Sequence, residues 1–253
     1  MERYNNHHKH DCVSSIITPD SNTKFYEYCE RAIELGEKNV FTTNHGTGGD
    51  IFEALHECDK YGLNCKSGLE GYIVLNPLEK DNKNYHIMII PKTNVARRKM
   101  NKANSRAHKE GYYYKPRLFL EDLLNNFDSN ELYITTACVA GILRDEDSIN
   151  NIFLPLYEKY GKNLMLEVQT NSVDIQNQMN EKAIKYSKEL GLYLIGANDS
   201  HYIYPHQYKE RIELLKGKGI NYGDEDTFIL DYPDYKTMVE RFQKQGVLNQ
   251  DQI

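Results

Sequence analysis

Leu164-Met165-Leu166-Glu167-Val168, then an amphipathic run over 175–190, then Leu192-Tyr193-Leu194-Ile195-Gly196-Ala197 is the stretch whose reading decides the fold. Two apolar runs of strand length flank a segment of helix length, and strands joined through a helix lie parallel. The same alternation continues upstream. Phe25, Tyr28, Cys29, Ala32 and Ile33 share one helical face, with Gly36 as its stop, and Val40-Phe41-Thr42-Thr43 reads as a strand. After the turn Gly46-Thr47-Gly48-Gly49, a second stripe of Ile51, Ala54, Leu55, Cys58 and Tyr61 ends at Gly62. Strands follow over 69–75, 87–90 and 132–135, with helices over 95–108, 117–124 and 149–160. A last helix near 207–216 leads into an irregular tail. Repeated units at this spacing predict an α/β fold with a parallel sheet, and their number favours a closed barrel over an open sheet. No linker or low-complexity tract interrupts the pattern, so one domain over 1–253 is expected, with 205–253 as its C-terminal helix and tail.

The 253 residues are 40% hydrophobic and 27% charged, enough to bury a core, and whole-chain disorder is excluded. No apolar run reaches the roughly 20 residues needed to span a bilayer, and the N-terminus lacks a signal-peptide core, so a cytoplasmic protein with no membrane partner is expected. Cys12, Cys29, Cys58, Cys65 and Cys138 form an odd set without C-x-x-C spacing, which argues for reduced thiols and against a disulfide framework or zinc ribbon. The net charge of -6 disfavours a nonspecific polyanion binder. The charge is uneven, however: residues 92–117 carry +8, leaving -14 elsewhere.

The polar residues near the strand ends carry the chemistry. His8-Lys9-His10 places two imidazoles on one side of an extended segment. Asn44-His45 ends one strand, Glu70 lies in Ser67-Gly68-Leu69-Glu70, and His86 opens Ile87-Met88-Ile89-Ile90. Cys138 ends Tyr133-Ile134-Thr135-Thr136-Ala137-Cys138, and Asp199-Ser200-His201 follows the last strand. Singly, each has a bland reading as a solvated arm, a turn, a surface histidine or a small buried hydrophobe. Together, at strand boundaries that converge on one barrel mouth, they point to a metal site. Imidazoles, carboxylates and one thiolate are ligands for Zn, Mn or Fe, and a divalent cluster of two to three ions fits a set this large. Bridged metals serve hydrolytic phosphoryl chemistry.

These residues resemble the PHP (polymerase and histidinol phosphatase) superfamily: His8-x-His10 with Ser14, Thr43-Asn44-His45-Gly46, Gly68-x-Glu70, His86, Thr136-Ala137-Cys138-Val139-Ala140-Gly141, and Asn198-Asp199-Ser200-His201-Tyr202. Gly111-Tyr112-Tyr113-Tyr114-Lys115-Pro116-Arg117 and Leu166-Glu167-Val168-Gln169 are closest to the N-terminal PHP domain of bacterial and phage DNA polymerase III alpha subunits. The resemblance covers roughly residues 4–245. It implies a distorted, TIM-like barrel of seven strands and helices with a metal cluster at the C-terminal rim. It also implies ligands at His8, His10, Asn44, His45, Glu70, His86, Cys138, Asp199 and His201, with Asp199, His201 and His10 as the expected catalytic positions. Asn44 departs from the family, which commonly has an acidic residue there, and so predicts one weakly held or empty ion site.

The activity implied is a metal-dependent phosphoesterase with 3′-to-5′ exonuclease action on a DNA 3′ end. The implied partners are a polymerase catalytic region or other replisome subunits. Arg97, Arg98, Lys115 and Arg117 are the candidate DNA contacts, and their bland alternative is a solvated helix face or a domain contact. Nothing over 235–253 resembles the polymerase palm, so polymerisation by this chain alone is not expected. Two alternatives remain open: a non-catalytic module supporting a polymerase, and a small-molecule phosphatase of the histidinol-phosphate kind.

Overall fold

The computed structural model describes residues 4–81, 83–223 and 227–253. Residues 1–3, 82 and 224–226 of the expected single domain lie outside the described residues. A short amino-terminal segment around Lys9 precedes α1 (Phe25–Glu34), β1 (Asn39–Thr42), α2 (Ile51–Lys60), β2 (Asn64–Ser67), β3 (Leu69–Ile73) and β4 (Tyr85–Pro91). The chain continues through α3 (Asn94–Lys109), β5 (Tyr112–Tyr113), β6 (Lys115–Leu118), α4 (Leu120–Asn125), β7 (Leu132–Thr135), α5 (Glu146–Ser148) and α6 (Leu154–Tyr160). Then come β8 (Leu164–Gln169), α7 (Asp174–Leu190), β9 (Leu194–Ala197), α8 (Tyr208–Gly217) and α9 (Tyr235–Gln245).

The sheet is mixed, which corrects the expectation of parallel strands throughout. Its seven-stranded part runs β5-β6-β3-β4-β7-β8-β9, and β4 is antiparallel to both β3 and β7. The cause is the connection over 74–84, whose described residues hold no helix, so the chain turns straight back instead of crossing over. β7, β8 and β9 are parallel as read, with α7 as the crossover between the last two. β1 pairs in parallel with β2, and the register carries on from Thr42↔Ser67 to a bridge between His45 and Glu70. Gly68 makes this possible. A Cβ there would lie 2.9 Å from both the Ile89 carbonyl oxygen and the Thr43 methyl. The amino-terminal segment fills the remaining gap: Lys9 bridges Ser200 beyond β9, and its amide donates to Thr43 Oγ1 at 3.0 Å. Single bridges and side-chain bonds, not full ladders, therefore close the ring.

Helix ends follow local chemistry. Thr93 Oγ1 accepts from the Ala96 amide at 3.1 Å to cap α3, whose buried face is Ala96, Met100, Ala103 and Ala107. Gly191, left-handed at φ 66°, stops α7. The helix expected over 149–160 is present and starts earlier, at Glu146: α5 runs on into a π-type turn at Ile149–Phe153 and then α6. The wider turn comes just before Pro155, which enters the first turn of α6, a place that tolerates its missing N–H. The tail read as irregular contains α9, a second correction. Asp234 caps it through the Thr237 amide at 2.7 Å, and Met238 and Phe242 bury against β9 at Gly196. Among the described residues no helix is long and apolar enough to cross a membrane, and all five cysteines are free of disulfides.

The larger core joins the seven-stranded sheet to α3, α6, α7 and α9. A smaller one, built on Phe25, Tyr28, Cys29, Val40 and Cys58, packs α1 and α2 over β1.

Candidate metal centre

Backbone pairing sets the first two histidines. The His10 amide donates to Ser200 O at 2.7 Å and the Ser200 amide to His8 O at 3.0 Å, so the segment runs strand-like beside β9. Side chains alternate along it. His8 and His10 therefore point into the ring while Lys9 points out, over the rings of Tyr28 and Tyr232. Asp199 and His201, also two apart, come from the turn after β9, where Asp199 holds a left-handed φ of 49° that non-glycine residues rarely adopt. His45, just beyond β1, bridges Glu70 on β3, and His86 lies on β4 two pairs further along.

Three groups of three result: His8, His10 and Asp199; His10, His45 and His201; His45, Glu70 and His86. In each, the ligand atoms all lie within 4.8 Å of one another. Asp199 Oδ1 is 3.2 Å from His8 Nε2 and 3.1 Å from His10 Nε2, and Glu70 Oε2 is 3.1 Å from His10 Nε2 and 2.6 Å from His45 Nδ1. These atoms are buried and close, yet none of these pairs aligns as a hydrogen bond. Lone pairs aimed at a shared centre rather than at one another are the arrangement a cation needs.

The far side of each ring fixes which nitrogen faces that centre. His8 Nδ1 donates to Glu167 Oε1 at 2.7 Å and His201 Nδ1 to Asp199 O at 2.8 Å, while His10 Nδ1 pairs with Ser14 Oγ at 3.2 Å. Each thereby offers Nε2 inward. Burial lowers the His8 pKa, but the carboxylates of Asp199, Glu167 and Glu70 outweigh it and hold the group well above the ordinary imidazole range. Burial raises Glu70 and Asp199, yet both stay well below the usual carboxylate range: His86, His45 and His8 act on the first, His8, His201 and His10 on the second. The carboxylates are thus ionised and present negative charge to a cation. Together, this cluster of His and Asp residues provides the donor set to coordinate one or more divalent ions.

The other expected positions divide. Cys138 stands at the third group, with Sγ 3.4 Å from His86 Nδ1 and 3.9 Å from Glu70 Oε1. Its loop depends on Ala137 at φ 57° and on Gly141, where a Cβ would come within 2.8 Å of the Cys138 carbonyl oxygen and closer still to that of Thr136. Asn44 is in none of the groups. Its Oδ1 accepts from the Asp11 amide and its Nδ2 donates to Asp11 Oδ1, both at 2.9 Å. Neighbouring residues on an extended strand face opposite ways, so Asn44 and His45 do not share the cluster.

Among the candidate DNA contacts, Arg117 turns inward. It is 3% exposed, and its guanidinium donates to the carbonyls of Gly111, Asp81 and Pro77. Arg97 and Arg98 lie near the start of α3, whose other end meets the cluster where His108 bonds Gly46 O at 2.7 Å. At ~1.5 Å rise per residue, Arg97 sits roughly 16 Å down the helix axis from His108. Only Lys115 lines the cavity over the cluster, with Nζ donating to Ile17 O at 3.0 Å and Thr18 Oγ1 at 2.6 Å.

Two contributors escaped the sequence reading. Asp20 Oδ2 hydrogen-bonds His201 Nε2 at 3.1 Å and lies 3.5 Å from His45 Nε2, setting a carboxylate beside the second group. It sits in the loop Thr18-Pro19-Asp20, away from any strand boundary, and only its closeness to His8 and His10 in sequence hinted at it. Glu167 was noted as part of a motif, but its role behind His8 follows only from the geometry.

Comparison with known proteins agrees with this arrangement. Residues 7–171 match the PHP domain family. The chain is 30% identical over 197 residues to the DNA polymerase III subunit alpha of Borreliella burgdorferi, covering 73% of this chain and 17% of that protein. It is 28% identical over 203 residues to its counterpart in Aquifex aeolicus, covering 74% and 17%. The chain thus spans about a sixth of the length of the curated relatives it matches. A crystal structure of a metal-dependent phosphoesterase from Bifidobacterium adolescentis aligns over 95% of this chain and 98% of its own, with a TM-score of 0.49 and 14% identity. With the family match spanning most of the ring and the histidines and acids gathered inside it, this chain belongs to the PHP domain family.

Proposed function

We propose that the cluster is the active site of a metal-dependent phosphoesterase, and that its substrate is the 3′ end of a DNA strand, removed stepwise as a 3′-to-5′ exonuclease would. The convergence of buried atoms of His8, His10, His45, Glu70 and Asp199, from four separate stretches of chain and without hydrogen-bond partners among the described residues, carries the first half. The likeness to replicative polymerase alpha subunits supports the second, and suggests a polymerase catalytic region or other replisome subunits as partners.

Divalent ions, when bound, supply an activated water and charge that stabilises the attacking and leaving oxygens of a phosphate ester. The chain's own residues do the rest. His8, His10 and Asp199 form one grip, His10, His45, His201 and Asp20 a second, and His45, Glu70, His86 and Cys138 a third. Glu167 and Ser14 keep His8 and His10 from rotating. Asp199, with 12% of its side chain reachable from solvent, is placed with His201 and His10 to orient the attacking water. Lys115, beside Asp20 and His86 in the cavity wall, is the one expected DNA contact positioned to meet a phosphate.

The cavity volume favours a second reading. At about 230 Å³ it is smaller than the roughly 300–1,000 Å³ of pockets for drug-sized ligands, which suits a small phosphomonoester as well as one terminal nucleotide. Turnover of a 3′-labelled primer by metal-loaded protein, set against a small phosphomonoester, tests both. The exonuclease reading expects cleavage of the primer that is lost in His8→Ala and Asp199→Ala. Hydrolysis of the monoester alone would select the phosphatase, and hydrolysis of neither would leave a non-catalytic module.

A further inference from the structure

We propose that Arg211 is the group that grips the phosphoryl oxygens of the substrate, with Lys115 as its partner in the same cavity. This rests on the phosphoesterase reading for its purpose, but the observation behind it is separate. Arg211 lies on α8, outside every motif read from the sequence, is 5% exposed, and lines the cavity that also holds Asp20, His45, His86, Asp199 and His201. Its Nε and Nη1 are buried and meet no acceptor among the described residues.

Other arginines of this fold are satisfied when they turn inward. Arg117 spends its guanidinium on three carbonyls, and Arg241 makes a two-pronged pair with Asp231 at 2.6 and 2.8 Å. Among the described residues, Arg211 has the Tyr222 ring, 5.9 Å away, and no such acceptor for Nε and Nη1. A guanidinium cannot shed its proton to escape burial, so one whose Nε and Nη1 find no acceptor among the described residues carries a cost that an incoming anion would offset.

The anion's shape follows from the donors. Arg211 presents a planar fork that fits two oxygens of a tetrahedral oxyanion. Lys115 Nζ has three hydrogens, two of them given to Ile17 O and Thr18 Oγ1, and among the described residues no acceptor takes the third. The same cavity is lined by Asp20 and Asp199, which repel an anion until cations occupy the cluster. A phosphoryl group with its ester oxygen toward the cluster and its remaining oxygens toward Arg211 and Lys115 would satisfy both sets of groups. The chemical class is therefore a phosphate ester, and the product inorganic phosphate or a nucleotide phosphate should bind by the same contacts.

Calorimetric titration of metal-loaded protein with inorganic phosphate, alongside elemental analysis, tests this. Arg211→Met should weaken phosphate binding by about tenfold or more while metal content stays unchanged, and Arg211→Lys should recover part of the loss. Without phosphate, Arg211→Met should melt no lower than the parent, because it removes an unpaired charge, but it should lose the rise in melting temperature that phosphate gives the parent. A purely structural arginine predicts the reverse, a lower melting temperature with phosphate affinity intact, and that result overturns the proposal. Should Arg211→Met fail to fold, phenylglyoxal labelling of the parent protein decides: saturating phosphate should shield Arg211, and equal labelling with and without phosphate overturns it. Absence of phosphate binding to the metal-loaded parent does the same. Phosphate binding that depends on Arg211 in a protein without hydrolytic activity would sink only the phosphoesterase reading. Hydrolysis that Arg211→Met leaves untouched would sink only this proposal.

Discussion

Glu167 sends neither oxygen to the centre of the cluster, yet both are fully used. Oε1 accepts from His8 Nδ1 and Gln169 Nε2 (2.7 and 2.9 Å), Oε2 from Thr135 Oγ1 and His7 Nε2 (2.6 and 3.3 Å). Such a carboxylate behind a ligand histidine fixes its ring and raises its basicity. Glu167→Gln should therefore weaken metal affinity by about 10–100-fold with the fold retained, as read by metal titration and circular dichroism. Unchanged affinity would remove Glu167 from the account. Asp20→Asn should likewise lower metal affinity while leaving the occupancy of the His8, His10 and Asp199 group intact, and equal loss at every site would contradict the assignment to the second group. At this scale the sequence was legible where spacing matched geometry. His8 with His10 and Asp199 with His201 are two apart and share a face, whereas Asn44 and His45 are adjacent and part company. Asp20 and Arg211 had no such signature, because a loop and an outer helix deliver them to the site.

Elements with an apolar period were readable, and those held by pairing or capping alone were not. β2 reads Asn64-Cys65-Lys66-Ser67, with no buried face to betray it, and it exists because β1 lies alongside. α9 was missed although Asp234, Met238, Phe242 and Gly246 mark its cap, stripe and stop, since the apolar pair is short and much of the helix is charged. It docks over the ends of two strands: Met238 and Phe242 pack at Gly196 of β9, and Gln245 Nε2 donates to the carbonyls of Gln169, which ends β8, and Asn171. Phe242→Ala should cost about 3–5 kcal/mol of stability by opening a cavity over β9, measured by denaturant unfolding. A loss below 1 kcal/mol, on the order of a surface substitution, would mean that α9 is not docked there. The 136–141 loop is the other sensitive element. Gly141→Ala would press a methyl group into two backbone carbonyls, so it should destabilise by about 1–3 kcal/mol and displace Cys138 and His86 together.

Across the whole molecule, the ring is an assembly of unequal parts. β7, β8 and β9 follow the parallel plan that the opening stretch implied, as do the pairs β1–β2 and β3–β6, whereas β4 and β5 run against their neighbours, and the amino-terminal segment closes the gap with one bridge and a few hydrogen bonds. That unequal closure brings His8 and His10 from one end of the chain against Asp199 and His201 from near the other. Family membership and most of the histidines and acids that cluster in the ring were legible because they are written as short motifs, while strand direction depended on a loop length whose meaning is geometric. The measurement that bears most directly on the account is metal content per chain, by elemental analysis after loading with manganese or zinc and removal of free ion. Two or three ions per chain are expected, falling by at least one in His8→Ala and in Asp199→Ala. Less than one ion per chain in the parent, or a content that neither substitution changes, would contradict the claim that these side chains form a metal centre.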